Sequence, residues 1–219
     1  MDWQALSLSL TLAFWTSCSL LLIGIPLASW LTFSHWRWKF LIESVVALPL
    51  VLPPTVLGFY MLLALGPHSP MGRGLEALFG HPLPFSFQGL LLASILYSLP
   101  FAVQPFASAF AAVDRRLLEA AWTLGASRLK VLFQILLPLS LPGLLTGVIL
   151  SFAHTLGEFG VVLMVGGNLP GQTRTISIAI YDDVQALDYA RAGQTSLVLL
   201  GLSFVMLVAV QGLRRRSLS

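Results

Sequence analysis

Two ionisable side chains, His154 and Glu158, stand inside the apolar part of this sequence, four residues apart. On a helix that spacing puts both on one face. Gly143, Gly147 and Ser151 lead up to them, with steps of 4, 4, 3 and 4 residues from Gly143 to Glu158. Small residues at such intervals let a second helix approach closely. A charge facing lipid at the bilayer centre costs about 2.5–3.5 kcal/mol on insertion scales, so this face is expected to point into a helix bundle. The first reading of His154 and Glu158 is a structural pair; the second is a gate or the lining of a pathway. No reaction centre accompanies them. The chain has no GxxxxGK[ST] loop, no HExxH and no cysteine pair. Cys18 is the single cysteine, which excludes an internal disulfide and a cysteine-based metal site. It lies among Ser and Leu and reads as an inert small residue. His68 and His81 fall in a Gly- and Pro-rich stretch without metal-ligand spacing. The expectation is no catalysis, no metal and no cofactor.

The elements that must position this face are apolar. Of 219 residues, 57% are hydrophobic and 10% charged, and the mean hydropathy is +0.86; a soluble domain does not have this composition. A bilayer core of about 30 Å takes about 20 helical residues. Five runs reach that length, roughly Leu6 to Phe33, Ser44 to Leu65, Gly89 to Val113, Leu139 to Val165 and Gly193 to Leu213. The second holds Pro49, Pro53 and Pro54. Proline removes a backbone donor and clashes with the preceding turn, so this helix is expected to be kinked or broken. Broken backbone survives at membrane depth only where protein or a water cavity covers it, so the break serves either packing or a translocation pathway. Pro100, Gln104 and Pro105 repeat the theme in the third run.

One polar stretch carries several cations between two apolar runs, Asp114 to Pro138. Its pattern predicts a helix, a glycine turn and a second helix. Asp114 suits the N-cap of the first, and Leu117, Ala121 and Leu124 fall on one face at helical spacing. Gly125 suits the left-handed residue that follows a helix C-terminus. Ser127 suits the cap of the next helix, which runs into the apolar stretch and meets Pro138.

In this stretch Glu119, Ala120 and Ala121, then Gly125, then Ile135, Leu137 and Pro138 resemble the EAA loop of ABC importer permeases at its fixed spacing. That resemblance implies a coupling helix that docks in a groove on a separate ATPase subunit. The two alanines permit close approach, and the glycine permits the turn that presents the helix. Thr155 to Gly160, TLGEFG, resembles the corresponding segment of molybdate permease subunits, as do LPLVLPP and LPGQTRTISIAIY; sulfate permeases carry a related GEFG. Relatives often carry Arg where this chain has His154, so a cationic role does not carry over to that position. The fold implied is all-α, a polytopic membrane protein of five transmembrane helices with the type I (MetI-like) importer architecture. It forms one domain over residues 1–219, with the membrane region at about 6–213 and the coupling loop at 114–138. The resemblance further implies a permease of the inner membrane that is not itself an enzyme. Two copies of this chain would assemble with two ATPase subunits and a periplasmic molybdate-binding protein. A sulfate or tungstate permease of the same architecture is the near alternative. An ATP-independent secondary transporter or a structural membrane protein is the distant one, and neither should carry the EAA pattern.

Charge sets the expected orientation. MDWQ lacks the basic segment of a cleavable signal, and the apolar run after it is too long for one. With five spans and an outside N-terminus, Arg37, Lys39, Arg115, Arg116, Arg128, Lys130 and Arg214 to Arg216 lie inside. Arg73, Arg174 and Arg191 lie outside, a split of nine to three that puts the C-terminus in the cytoplasm. Arg214 to Arg216 read as a topology anchor at lipid headgroups. Trp30, Trp36 and Trp38 read as interfacial aromatics rather than a nucleic-acid stacking surface. On the outside, Thr175 to Leu187 predicts an amphipathic helix with Ile176, Ile180, Val184 and Leu187 on one face. It would pack on the bundle or help receive a binding protein.

Overall fold

A computed structural model describes the backbone of residues 1–218 and the side chains of residues 1–213. The side chains of Arg214 to Arg216, expected as a topology anchor, lie outside the described residues. Helices and turns make up the described chain, and no strand occurs among the described residues.

The first helix, α1 (Trp3–Phe33), starts where the Asp2 carboxylate accepts the Ala5 N–H at 3.0 Å. It packs along α5 (Phe87–Ala111), and α8 (Leu137–Gly157) closes the third side of this core. Leu20, Ala28, Val103, Phe106, Phe110 and Leu144 fill the space between them. Close approach explains why small residues are needed here. A β-carbon on Gly24 of α1 would stand 3.1 Å from the Phe106 ring, and one on Gly147 of α8 would stand 2.5 Å from the same ring on its other side. Phe106 is thus clamped between two glycines, and the clamp sets the spacing of all three helices.

The second apolar run is not one straight span. It forms α2 (Lys39–Ala47), a 3-10 turn (Leu48–Leu50) and α3 (Pro54–Leu65), bent by 111° at the break. Pro53 takes φ −55° and ψ 135°, the extended conformation that a following proline imposes. Between this run and α5 lies a further helix, α4 (Pro70–Phe79), in the stretch read from the sequence as a Gly- and Pro-rich loop. Ser69 caps it by accepting the Gly72 N–H at 2.7 Å, and Gly80 ends it at φ 77°.

After α5 come α6 (Arg115–Thr123), α7 (Arg128–Val131) and a π turn (Leu132–Leu136) that leads without interruption into α8. From Arg128 to Gly157 this is one helical rod of 30 residues, about 45 Å long at 1.5 Å per residue. The sequence placed the span at Leu139 to Val165; the helix instead starts earlier and stops at Gly157. Glu158 leaves the helical region with φ −66° and ψ 131°, and a separate helix, α9 (Gly160–Gly166), follows. Two glycines and an extended residue within four positions account for the stop. Four helical stretches are long and apolar enough to cross a membrane, and the bent α2–α3 pair makes the fifth crossing if it counts as one.

Beyond α9 the chain forms α10 (Ile176–Gln185) and α11 (Tyr189–Leu218). The expected amphipathic helix exists, but its buried face is Ile176, Ile178 and Ala179. Val184 and Leu187, expected on that face, are exposed. The helix ends at Gln185 and Leu187 turns to φ 61°, so the helical face is not continued that far. Asp182 and Asp183 serve instead as anchors. The Arg174 guanidinium donates to Asp182 at 2.8 Å and lies 3.9 Å from Asp2, and Arg191 lies 3.6 Å from Asp183. Ion pairs thus tie the N-terminus, the segment before α10, α10 itself and α11 at one end of the bundle.

Candidate functional site: two helix breaks joined to an exposed loop

The two interruptions in the membrane helices meet. A β-carbon on Gly160, the first residue of α9, would stand 2.7 Å from the Cβ of Pro54, the first residue of α3. One turn further along α3, a β-carbon on Gly58 would stand 2.7 Å from the Cβ of Met164. Both distances are shorter than carbon atoms tolerate, so α3 and α9 touch backbone to side chain along their length. Leu57, Leu65, Val161 and Val165 are buried around the crossing. A helix whose hydrogen-bond ladder is already cut bends more readily than an intact one, and here two such cuts share one contact.

Glu158 sits at the second cut with only 4% of its surface exposed. Neither carboxylate oxygen has a hydrogen-bond partner among the described residues. The Ser94 hydroxyl lies beside it without completing a hydrogen bond. The pair expected between Glu158 and His154 is not formed. Because α8 stops at Gly157, Glu158 is no longer one helical turn above His154 on a common face. His154 turns to α5 instead. Its Nδ1 shares a hydrogen bond with Ser98 Oγ at 3.0 Å, its ring stacks on Phe101 at 3.9 Å between centroids, and Tyr97 lies at 4.8 Å. Ser98 also bonds Thr155 Oγ1 at 3.0 Å. These partners on α5 are invisible at helical spacing, since they come from 56 residues away in sequence.

The rest of the small-residue face behaves as expected. A β-carbon on Gly143 would stand 2.3 Å from Ala109 Cβ, and Ser151 is fully buried, its hydroxyl turned back to the Gly147 carbonyl at 2.7 Å. Gly143, Gly147 and Ser151 therefore seat α8 on α5 and on the Phe106 ring.

At the other end of the rod is the Asp114 to Pro138 stretch, expected as a coupling loop. Asp114 accepts the Arg116 N–H at 2.9 Å and Ser127 accepts the Lys130 N–H at 3.3 Å, so both predicted caps are in place. Gly125 takes φ 82°, and the Ala126 N–H reaches back to the Ala121 carbonyl at 3.0 Å, closing the turn between α6 and α7. Leu118 is the buried residue of α6, and Ala121 packs with it against the core. Leu117 and Leu124, which share a face with Ala121 in the sequence pattern, point out, and Leu124 is 88% exposed. Trp122, Leu129 and Phe133 are exposed as well, with Glu119 and Ala120 among them. Exposed apolar groups gathered on an otherwise charged loop mark an interaction surface. Ile135 and Leu137 are half-buried against the core, and Pro138 is exposed at the start of α8. The seven residues of the loop pattern thus divide into an exposed set, Glu119, Ala120, Gly125 and Pro138, and a set packed toward the core, Ala121, Ile135 and Leu137. No group of His, Cys, Asp or Glu able to hold a metal occurs among the described residues.

Comparison with known proteins gives consistent results. The profile of the family described as "Binding-protein-dependent transport system inner membrane component" matches residues 21–217. The chain is 50% identical to the "Molybdenum transport system permease protein ModB" of Azotobacter vinelandii, covering 98% of this chain and 95% of that one. It is 39% identical to the protein of the same name in Escherichia coli K12, over 94% and 90%. A "Probable sulfate transport system permease protein cysT" of Chlorella vulgaris is 33% identical, over 94% and 77%. Among solved structures, the fold is similar to a bacterial alginate ABC transporter chain (TM-score 0.76, 18% identity, covering 97% of this chain and 78% of that one). It is also similar to a chain of the MetNI methionine ABC transporter in an inward-facing conformation (TM-score 0.73, 16% identity, 99% and 96%).

Proposed function

Because the chain belongs to the family of binding-protein-dependent transport system inner membrane components, we propose that it is the permease subunit of an ATP-driven importer whose cargo is molybdate. One observation carries the cargo: identity to the molybdenum permeases exceeds identity to the sulfate permease over a similar share of this chain. Two copies of this chain would form the pathway. Two ATPase subunits would dock on the paired coupling loops, and a periplasmic molybdate-binding protein would deliver the anion from the other side. ATP hydrolysis belongs to those partner subunits, and this chain itself is expected to bind no cofactor, metal or nucleic acid.

The lever in this proposal is the rod from Arg128 to Gly157. When ATP closes the ATPase subunits, the Leu117, Trp122 and Leu124 surface moves with them. The rod carries that displacement to the Gly157–Gly160 break, where α9 bears on Pro54 and α3. The two membrane states must differ in how they engage nucleotide-bound ATPase, since a ligand shifts an equilibrium only through differential affinity. The N-terminus faces the periplasm and the C-terminus the cytoplasm, in accord with the nine-to-three cation split. This orientation puts the Arg174 and Arg191 ion pairs on the side where a binding protein would dock.

ATP hydrolysis by the complex reconstituted in vesicles tests the cargo. Binding protein loaded with molybdate should stimulate turnover, and sulfate should not. Preferential stimulation by sulfate or tungstate would reassign the cargo within the same architecture. Uptake that persists when the ATPase subunit is omitted would favour a secondary transporter and end the proposal.

A further inference from the structure

A cavity of about 660 Å³ opens between the end of α1, the start of α2, the last turns of α5 and the first residue of α6. Its polar lining is Thr32, Lys39, Glu43, Gln104, Ser108 and Arg115. Its floor is apolar, with Val103 and Phe110 from the buried core. Lys39 donates to the Leu31 carbonyl at 3.2 Å and lies 3.9 Å from Glu43, beyond hydrogen-bond range, so ammonium donors remain for another acceptor. Arg115 has no carboxylate within 4.0 Å among the described residues. Two cations against one carboxylate leave a single positive charge. That matches a phosphodiester monoanion and undercuts a free tetrahedral dianion.

The surroundings identify which phosphodiester. Trp30, Trp36, Trp38 and Phe40 are exposed at this same end. Trp30 and Trp36 rings lie 5.9 Å apart, and the Arg37 guanidinium sits 5.5 Å from the Trp38 ring. Exposed tryptophans beside cations mark the headgroup level of a bilayer, and basic pockets between helices at that level recognise anionic headgroups. An apolar floor below a cationic rim is the shape of a glycerophosphate with its chains lying outward along the exposed Leu41 and Val45. We propose that this cavity is a binding site for the headgroup of an anionic phospholipid, held by Lys39 and Arg115 with Gln104 and Ser108 donating to its oxygens. Bound there, the lipid ties α2 to the root of the coupling loop, because Arg115 is the first residue of α6. The site needs only that the chain is a membrane protein, so its success or failure is separate from the choice of cargo.

Native mass spectrometry of the permease–ATPase complex, purified in mild detergent and supplied with phosphatidylglycerol, tests this. Wild type should retain one lipid per permease chain, and the K39Q/R115Q double variant should retain about thirtyfold less, from the contribution of two cations near headgroups. K39R/R115K should keep the lipid. An Arg73→Gln control, which removes a cation elsewhere, should retain as much as wild type. Equal retention by wild type and K39Q/R115Q overturns the proposal. A second measurement uses wild type alone and so does not depend on the variants folding. Its melting temperature in nanodiscs should be higher with phosphatidylglycerol than with phosphatidylcholine; no difference also overturns it. Inorganic phosphate or molybdate, added to lipid-depleted wild type, should give no comparable rise. If either does, the site takes a free oxyanion and the lipid assignment is wrong.

Discussion

Gly160 lies against Pro54 so closely that a β-carbon on the glycine would stand 2.7 Å from the proline Cβ, and through that contact the two broken membrane helices bear on each other. Gly160→Ala forces the α3–α9 crossing apart or strains it. Overpacking of this kind typically costs about 1–3 kcal/mol. A lowered melting temperature and impaired uptake are expected. Gly157→Ala, three residues away with nothing within 4 Å of the new carbon, should leave both nearly unchanged. If the two variants behave alike, the Pro54 contact is not what constrains Gly160.

In the loop proposed to couple to the ATPase, Gly125 holds φ 82° with nothing within 4 Å of an added β-carbon. A β-carbon there meets no neighbour, so the cost of adding one is conformational, roughly 1–2 kcal/mol, and falls on the turn. Gly125→Val should insert normally in the membrane yet bind the ATPase subunit weakly or lose uptake. Glu119→Lys, on the exposed face of α6, should do the same without altering the turn. Wild-type transport by both variants would remove the coupling loop from the mechanism.

Orientation is open to labelling. In a Cys18→Ala background, a cysteine replacing Ser127 should react with an impermeant thiol reagent only from the cytoplasmic side. One replacing Gln172, exposed before α10, should react only from the periplasmic side. The reverse pattern would invert the chain in the bilayer.

No hydrogen bond or ion pair joins His154 and Glu158, so their substitutions should nearly add. His154→Gln removes a ring stacked on Phe101, and Glu158→Gln removes a carboxylate with no partner among the described residues. Melting of the single and double variants should show a coupling free energy within about 0.5 kcal/mol of zero. A larger value would restore the pair that the helical spacing suggested.

Selectivity should reside outside this chain. No Lys or Arg occurs in α1, in α5 or between Leu132 and Gly157, while Arg174 and Arg191 are engaged by aspartates. Tight capture of a dianion needs cations or several N–H donors. Calorimetry on the permease–ATPase complex without binding protein should therefore detect no micromolar molybdate site. A saturable site of that strength would place recognition within the membrane, with the Pro54–Gly160 region the first to examine.

The sequence alone determined the class and the local geometry of the Asp114 to Pro138 stretch. Continuous apolar runs force helices because lipid offers the backbone no hydrogen bonds. The EAA pattern with Asp114, Gly125 and Ser127 is local chemistry of caps and a turn, so its geometry follows from neighbouring residues. Gly143, Gly147 and Ser151 announced a packing face, since an absent side chain has one effect wherever the partner comes from. What tertiary structure decided was who the partners are. His154 and Glu158 looked paired only while a continuous helix was assumed. The stop at Gly157 separates them, and Ser98, Tyr97 and Phe101 reach His154 from a helix distant in sequence. Likewise Pro53 and Pro54 signal a break without giving its 111° bend, whose two arms pack on helices distant in sequence, α3 on α9 and α2 on α5. The GEFG glycines were legible as part of a family pattern. That they mark a second break, touching the first, depends on a contact between residues over a hundred positions apart, and no local spacing encodes it.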